Sequence, residues 1–334
     1  MATTEQNLIP VTILTGFLGA GKTTLLNRIL TEQHGEKIAV IENEFGETGV
    51  DNDILLQDRD EQIVEMNNGC ICCTVRGDLV RILGELAAKK KKGELKFDRV
   101  LIETTGLANT GPVAQTFFMD EDIHNQYLLD AVVTVVDAKH AQQQLDIHEE
   151  AQTQVGFADR LLLSKTDLVQ DDEVSALQDR LKSMNPRAVQ KRVHFGKTDI
   201  KDILDIKGFN LNSVLEVSPD FLKDDHHHHD DDVKSFVWRD ERPLSMEKME
   251  MFLSLLVETY GKDMLRYKGV LNIANEPRRM IFQGVHMLMG GSPGKPWAEG
   301  ETRESVMVFI GRNLPQRIFV EGLNYCVDGV EVPA

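Results

Sequence analysis

Cysteine is scarce in this 334-residue chain, and three of its four cysteines fall within Cys70-Ile71-Cys72-Cys73. Thiols this close together are poorly placed to staple a fold. They read instead as reduced thiols acting as metal ligands or redox groups. Cys326 stands alone and reads as a small buried apolar residue. Basic charge is also in deficit, with 37 Lys and Arg against 54 Asp and Glu and a net charge of -17. That balance argues against a nucleic-acid binder and suits a soluble protein meeting cations or basic partners. Long apolar runs are missing: stretches such as 131–136 are strand-length and cannot span a membrane. The first residues, Met1-Ala2-Thr3-Thr4-Glu5-Gln6, show no basic stretch leading into an apolar run, so no signal peptide and a cytoplasmic location are expected. There is no internal repeat.

Short apolar runs alternate with amphipathic segments through the first half of the chain. Strands are expected at 11–14, 37–41, 99–102, 131–136 and 160–163, with a weaker one at 193–195. Helices are expected at 22–31, where Leu25, Leu26, Ile29 and Leu30 share a face, and at 78–92, which Gly93 stops. The strands are apolar throughout rather than alternating. This is the pattern of an α/β fold: a mostly parallel sheet covered by helices on both faces, with ligands at the carboxyl ends of its strands. The polar run Lys223-Asp224-Asp225-His226-His227-His228-His229-Asp230-Asp231-Asp232 reads as a linker, with weak metal collection as a second reading. Beyond it, strands at 235–239, 269–273, 280–285 and 305–310 accompany helices at 245–260 and after Pro315, giving a small α+β domain. The domains expected are 1–220, a linker at 221–234, and 235–334.

Gly16-Phe17-Leu18-Gly19-Ala20-Gly21-Lys22-Thr23 has the spacing G-x-x-x-x-G-K-T, after an apolar strand and opening a helix. This is the phosphate-binding loop of P-loop NTPases: backbone amides wrap the phosphates, Lys22 reaches the β- and γ-phosphates, and Thr23 ligates Mg²⁺. Gly16, Gly19, Ala20, Gly21, Lys22, Thr23 and Thr24 are the expected nucleotide contacts. Glu103 closes the strand at 99–102 and is followed by Gly106, the place for a carboxylate orienting the magnesium's water shell and a glycine near the γ-phosphate. Ser164-Lys165-Thr166-Asp167 looks like the base-reading motif Asn-Lys-x-Asp, with Ser in place of Asn. Asp167 can accept both guanine N1–H and the N2 amine, and the Lys165 stem can lie against the purine. The Asn-to-Ser change removes an amide and loosens base selectivity. Asp137 could approach the site, although a plain strand-end turn is the simpler reading. No glutamine is obviously placed to hold the attacking water, so slow intrinsic hydrolysis is expected.

The thiols lie between the two elements that would hold a nucleotide and its magnesium. Zinc favours Cys sulfur and wants four donors, and Cys70, Cys72 and Cys73 supply three at most. In an extended segment Cys70 and Cys72 share a face; in a helical turn Cys70 and Cys73 do. The local conformation thus decides which thiolates converge. Glu42, Glu44, Glu47, a water or a partner's group could complete the set. A redox pair of Cys70 and Cys73, or three buried apolar cysteines, are the competing readings.

Together, Gly16 to Thr23, Glu42-Asn43-Glu44-Phe45-Gly46, Asn68-Gly69-Cys70-Ile71-Cys72-Cys73, Glu103-Thr104-Thr105-Gly106 and Ser164-Lys165-Thr166-Asp167 resemble the CobW-type GTPases. The likeness extends to Leu265-Arg266-Tyr267-Lys268-Gly269 and Met307-Val308-Phe309-Ile310-Gly311. It implies a low-turnover, Mg²⁺-dependent GTPase that binds Zn²⁺ or a related transition metal and delivers it to client metalloproteins. It also implies metal ligation by the cysteine motif and Glu42. Catalytic roles then fall to Lys22, Thr23 and Glu103, guanine selection to Lys165 and Asp167, and the metal to Glu42, Cys70, Cys72 and Cys73. The partners expected are GTP or GDP and a client metalloprotein, without nucleic acid or membrane; a homo-oligomer is left open. Two rival readings are a GTP-binding metal store or sensor and a redox-regulated nucleotidase.

Overall fold

A computed structural model describes residues 8–32, 35–43, 63–66, 74–209 and 231–329. Two units emerge, Met1–Asp179 with Ala188–Phe209, and Arg180–Arg187 with Asn210–Ala334. The expected linker, as far as residue 230, lies outside the described residues, as do Cys70, Cys72, Cys73, Glu44 and Glu47.

In chain order, the first group of elements is β1 (Ile9–Thr15), α1 (Lys22–Thr31), β2 (Ile38–Asn43), β3 (Ile63–Met66), α2 (Thr74–Lys91), β4 (Arg99–Glu103) and α3 (Thr110–Met119). There follow α4 (Glu121–His124), β5 (Tyr127–Asp137), α5 (Ala141–Ile147), α6 (Glu149–Phe157), β6 (Arg160–Ser164), α7 (Asp171–Met184) and β7 (Val189–Arg192). The seven strands form one sheet in the order β3-β2-β4-β1-β5-β6-β7, and every neighbouring pair is parallel. Parallel strands need helical crossovers that cover both faces, which is why the central strands are apolar at nearly every position. In β5, ten of eleven residues are buried. On α1, Leu25, Leu26 and Ile29 are buried, as the spacing predicts. Because β1 has β4 on one side and β5 on the other, the chain order reverses around it. The crevice at the carboxyl end of β1 is therefore the topological switch point where such sheets bind ligands.

The second unit is built on β8 (Val233–Asp240), α8 (Met246–Tyr260), β9 (Met264–Leu271), β10 (Arg278–Val285), β11 (Leu288–Pro296), β12 (Ser305–Arg312) and α9 (Gln316–Tyr325). Its five strands are antiparallel in the order β11-β10-β9-β12-β8. Ser245 caps α8 by accepting from Lys248 N. The core holds Phe236, Trp238, Leu253, Tyr267, Phe282, Met307, Phe309 and Phe319. Phe309 sits in an aromatic cluster, stacked with Phe236 at 5.3 Å and edge-on to Phe319 at 5.0 Å between ring centroids. Cys326 is buried, its thiol donating to Gly322 O, and burial pushes its pKa up to about 11.

Two expectations need correction. The strand expected at 193–195 is instead a turn: β7 ends at Arg192, one β-ladder position short of the Val193 amide that still bonds Leu163 O at 2.8 Å. Phe195 has φ 46, a left-handed value incompatible with a strand. The strand β11 was not expected, because its sequence Leu-Met-Gly-Gly-Ser-Pro-Gly-Lys-Pro carries no apolar alternation. It is an edge strand, where proline and glycine are tolerated, and pairing to β10 alone recruits it.

Removing the Phe309 ring should empty the centre of the aromatic cluster. Phe309→Ala is expected to cost about 3–5 kcal/mol. Urea unfolding followed by aromatic near-ultraviolet signals should show the transition at clearly lower denaturant than in the wild type.

Candidate nucleotide-binding site

The loop after β1 is shaped by its glycines. Gly16 has φ 143, and a Cβ there would lie 2.3 Å from Val135 O, so the loop can cross β5 only without a side chain. Gly21 has φ 100 and caps the start of α1 in the left-handed region. Gly19 is likewise left-handed, with φ 73. Ala20 N closes the turn on Phe17 O at 3.1 Å. The residues 16–21 thus fold into an open cradle at the switch point, and Lys22 bends back over it. Its ammonium donates to Gly16 O at 2.9 Å and to Phe17 O at 3.4 Å. Burial pulls the Lys22 pKa below its ordinary value, and the nearby Glu103 charge offsets part of that pull. Thr24 is exposed in the first turn of α1.

Glu103 ends β4 beside this cradle. Thr23 Oγ1 donates to Glu103 Oε1 at 3.2 Å, which brings the two expected magnesium-binding side chains into contact. Glu42, the last residue but one of β2, is in direct register with Glu103, so these carboxylates occupy neighbouring strands at the carboxyl end of the sheet. Their shared register also gives them the same face. The turn beyond Glu103 is tied to the loop. Thr104 N donates to Leu14 O at 2.9 Å, and the Thr104 hydroxyl donates to Thr15 Oγ1 at 2.8 Å. A Cβ on Gly106 would meet Leu18 N at 2.6 Å, so glycine is required where this turn touches the loop backbone.

The segment expected to read the base, Ser164-Lys165-Thr166-Asp167, begins at the last residue of β6. Lys165 adopts a left-handed φ of 55, and its ammonium donates to Gly19 O at 2.8 Å and Asp137 Oδ2 at 2.7 Å. Ser164 Oγ donates to Ala20 O at 2.7 Å. The serine therefore braces the phosphate loop from behind. The hydroxyl thus has a structural contact of its own. Asp167 is partly exposed, with its Oδ1 3.4 Å from His194 Nδ1.

Two residues, Gln154 and His194, escaped the sequence reading, and a third, Asp137, was given the lesser of its two roles. Asp137, read there as a plain strand-end turn, is only 2 % exposed and bonds Lys165, His140 Nδ1 at 2.9 Å and the Lys139 amide at 2.9 Å. Burial pushes its pKa up, but the hydrogen bonds from Lys165 and His140, the Lys165 charge and the Lys139 amide outweigh it and hold the carboxyl below its ordinary value. The signal was present in that Asp137 ends an apolar strand just as Glu103 and Ser164 do. Gln154, buried on α6, donates to Gly106 O at 3.0 Å and Ala108 O at 3.2 Å and so braces the turn after Glu103. His194 lies in the turn misread as a strand. No sequence spacing announced Gln154 or His194.

Cys70, Cys72 and Cys73 lie outside the described residues, so of the proposed metal ligands the structure places Glu42 alone. No cluster of three or more metal-binding side chains occurs among the described residues. Nor, among them, is any helix long and apolar enough to cross a membrane.

The phosphate loop at the switch point of a parallel sheet defines the class as a P-loop nucleotide-binding α/β protein. The chain belongs to the CobW family: residues 10–191 match "CobW/HypB/UreG, nucleotide-binding domain" and residues 233–327 match "Cobalamin synthesis protein cobW C-terminal domain". It is 46 % identical to the zinc chaperone YjiA of Escherichia coli over 93 % of this chain and 96 % of that protein. It is 34 % identical to zinc-regulated GTPase metalloprotein activator 1 of Schizosaccharomyces pombe, over 92 % of this chain and 83 % of the relative. The zinc-bound crystal structure of the E. coli YjiA GTPase superposes with a TM-score of 0.80 at 39 % identity, covering 96 % of this chain and 99 % of that one.

The Asp137 arrangement carries a pH signature. A carboxyl held below its ordinary value contributes stability above the unfolded-state pKa, about 4, and loses it as pH falls through the folded value. Asp137→Asn should therefore be less stable than wild type at neutral pH. Thermal unfolding at a series of pH values should show that gap narrowing below about pH 4.

Proposed function

We propose that this protein is a Mg²⁺-dependent GTPase that binds zinc and passes it to a client metalloprotein. The observation that carries the reading is the register of Glu42 with Glu103, which sets a candidate metal ligand one strand from the candidate magnesium carboxylate. The names of the YjiA and metalloprotein-activator relatives point to the same chemistry.

Each residue has a role in this reading. The amides of residues 16–21 cradle the phosphates. Lys22, already turned over the loop, exchanges its bonds to Gly16 and Phe17 carbonyls for phosphate oxygens and neutralises γ-phosphate charge. The Thr23 hydroxyl and Glu103 carboxylate are hard oxygen donors in contact with each other and fit Mg²⁺. When bound, Mg²⁺ supplies charge neutralisation on the phosphates. Asp167 accepts from the guanine edge, and Lys165 lays its stem against the purine. Gln154 donates to the carbonyls of Gly106 and Ala108 and in this reading holds the turn after Glu103 in place.

Zinc is the cargo. Glu42 joins Cys70, Cys72 and Cys73 in holding it, and the thiol segment lies in the chain between β2 and β4, the strands that carry Glu42 and Glu103 near their carboxyl ends. A change at the γ-phosphate then reaches the metal through one pair of adjacent strand ends. The cytoplasm is the compartment that suits reduced thiols.

Two variants separate the halves of this reading. Lys22→Ala should lower GTP turnover by at least about 100-fold, the order of loss on removing one charge-stabilising donor, while freshly purified reduced protein keeps its zinc. Cys72→Ala should lose stoichiometric zinc, measured by metal analysis, and still bind GTP. Zinc retained at full stoichiometry in Cys72→Ala would contradict the assignment of the thiols.

A further inference from the structure

The turn after β7 holds an aromatic ring out into solvent beside Asp167. The bond from Val193 N to Leu163 O keeps the chain alongside β6 up to its end. The chain then reverses, with Lys197 N donating to His194 O at 2.8 Å. The turn thus leaves the sheet at the same edge as Ser164-Lys165-Thr166-Asp167. His194 Nδ1 lies 3.4 Å from Asp167 Oδ1, and the Phe195 ring packs edge-on to His194 with centroids 4.6 Å apart and planes at 75°. On its other side the turn is pressed against α1. A Cβ on Gly196 would lie 3.3 Å from Leu25 Cα and 3.4 Å from Thr24 O.

Phe195 violates two physical preferences at once. Its φ of 46 is strained for a bulky L-residue, and its side chain is 72 % exposed, more than any other large hydrophobic residue among those described. Neither feature helps the chain fold. Strained residues persist where surrounding structure holds them, and they cluster at ligand sites. Here the hold comes from Gly196 against α1 and from the His194 ring. An exposed flat apolar ring, on a turn whose Gly196 lies against α1 and whose His194 lies against Asp167, is suited to a planar heterocycle, whose faces stack on aromatic rings.

We propose that Phe195 is a base-stacking residue: its ring covers one face of the purine whose edge Asp167 reads, and His194 fixes ring and carboxylate relative to each other. The inference rests on the reading of Asp167 as the guanine-binding carboxylate. The ligand class is a guanine nucleotide, and because the ring meets the base and not the phosphates, it serves GDP and GTP alike. The strand-end carboxylate then gives selectivity, and the aromatic face gives affinity.

Full-length Phe195→Ala, Phe195→Trp and Asp167→Asn proteins test this by calorimetric titration with GDP, a non-hydrolysable GTP analogue and ADP. Phe195→Ala should weaken GDP and the GTP analogue equally, by about tenfold, the size of a lost aromatic–base stack. It should raise the KM for GTP while kcat changes less than twofold. Its thermal midpoint should match wild type, since an exposed ring adds little to the fold. Phe195→Trp should restore affinity, and its added indole emission should be quenched when GDP binds. Wild-type affinity in Phe195→Ala overturns the proposal. If guanine preference over ADP also survives in Asp167→Asn, the Asp167 reading fails as well; if Asp167→Asn loses that preference while Phe195→Ala binds normally, the stacking role alone is lost.

Discussion

Glu42 and Glu103 lie in register near the carboxyl ends of adjacent parallel strands, and the proposed coupling of metal to nucleotide depends on that pairing. A shift of one residue in the pairing of β2 with β4 would send one carboxylate to the opposite face of the sheet. The register is secured by the fully buried, apolar bodies of both strands, which tolerate no such slip. Negative charges side by side repel unless cations stand near them. The site supplies such a cation in Lys22, whose ammonium Glu103 helps to keep charged against the pull of burial.

The phosphate loop itself is held from outside as much as from within. Ser164 bonds Ala20 O, Lys165 bonds Gly19 O, and Asp137 anchors Lys165 from beneath. These contacts join three strand ends, β1, β5 and β6, into one frame. The segment proposed to read the base therefore also braces the phosphate loop. Gln154 performs the corresponding service for the turn after Glu103, where Gly106 comes against Leu18. That turn is thereby positioned to register what occupies the loop.

Much of this was legible in the sequence because it rests on local signals. The phosphate loop has fixed spacing, α1 was bounded to the residue by its glycine cap and apolar face, and strand ends were marked by the change from apolar to polar at Glu103 and Ser164. Parallel topology followed from strands apolar at every position. What the sequence concealed depends on tertiary contact. Asp137 was open to two readings, a group near the site or a plain turn, until the Lys165 ammonium was placed against it. The Gln154 contacts span 48 and 46 positions along the chain. The turn at Phe195 resembled a strand because Val, His and Phe in succession favour extended structure, and only the approach of Gly196 to α1 forces the reversal. The edge strand β11 exists because a neighbour pairs with it, not because its own residues favour a strand.

The central claim is that the nucleotide state is felt by the metal across one pair of strand ends. The direct measurement is the zinc dissociation constant of the reduced full-length protein, by competition with a chromogenic chelator, in the presence of GDP and of a non-hydrolysable GTP analogue. The account predicts that the two constants differ by at least about fivefold, the lower bound of ordinary coupling between sites, and that Glu42→Gln collapses the difference. Equal zinc affinity in the two nucleotide states would contradict it and leave a metal store in which GTP only stabilises the fold.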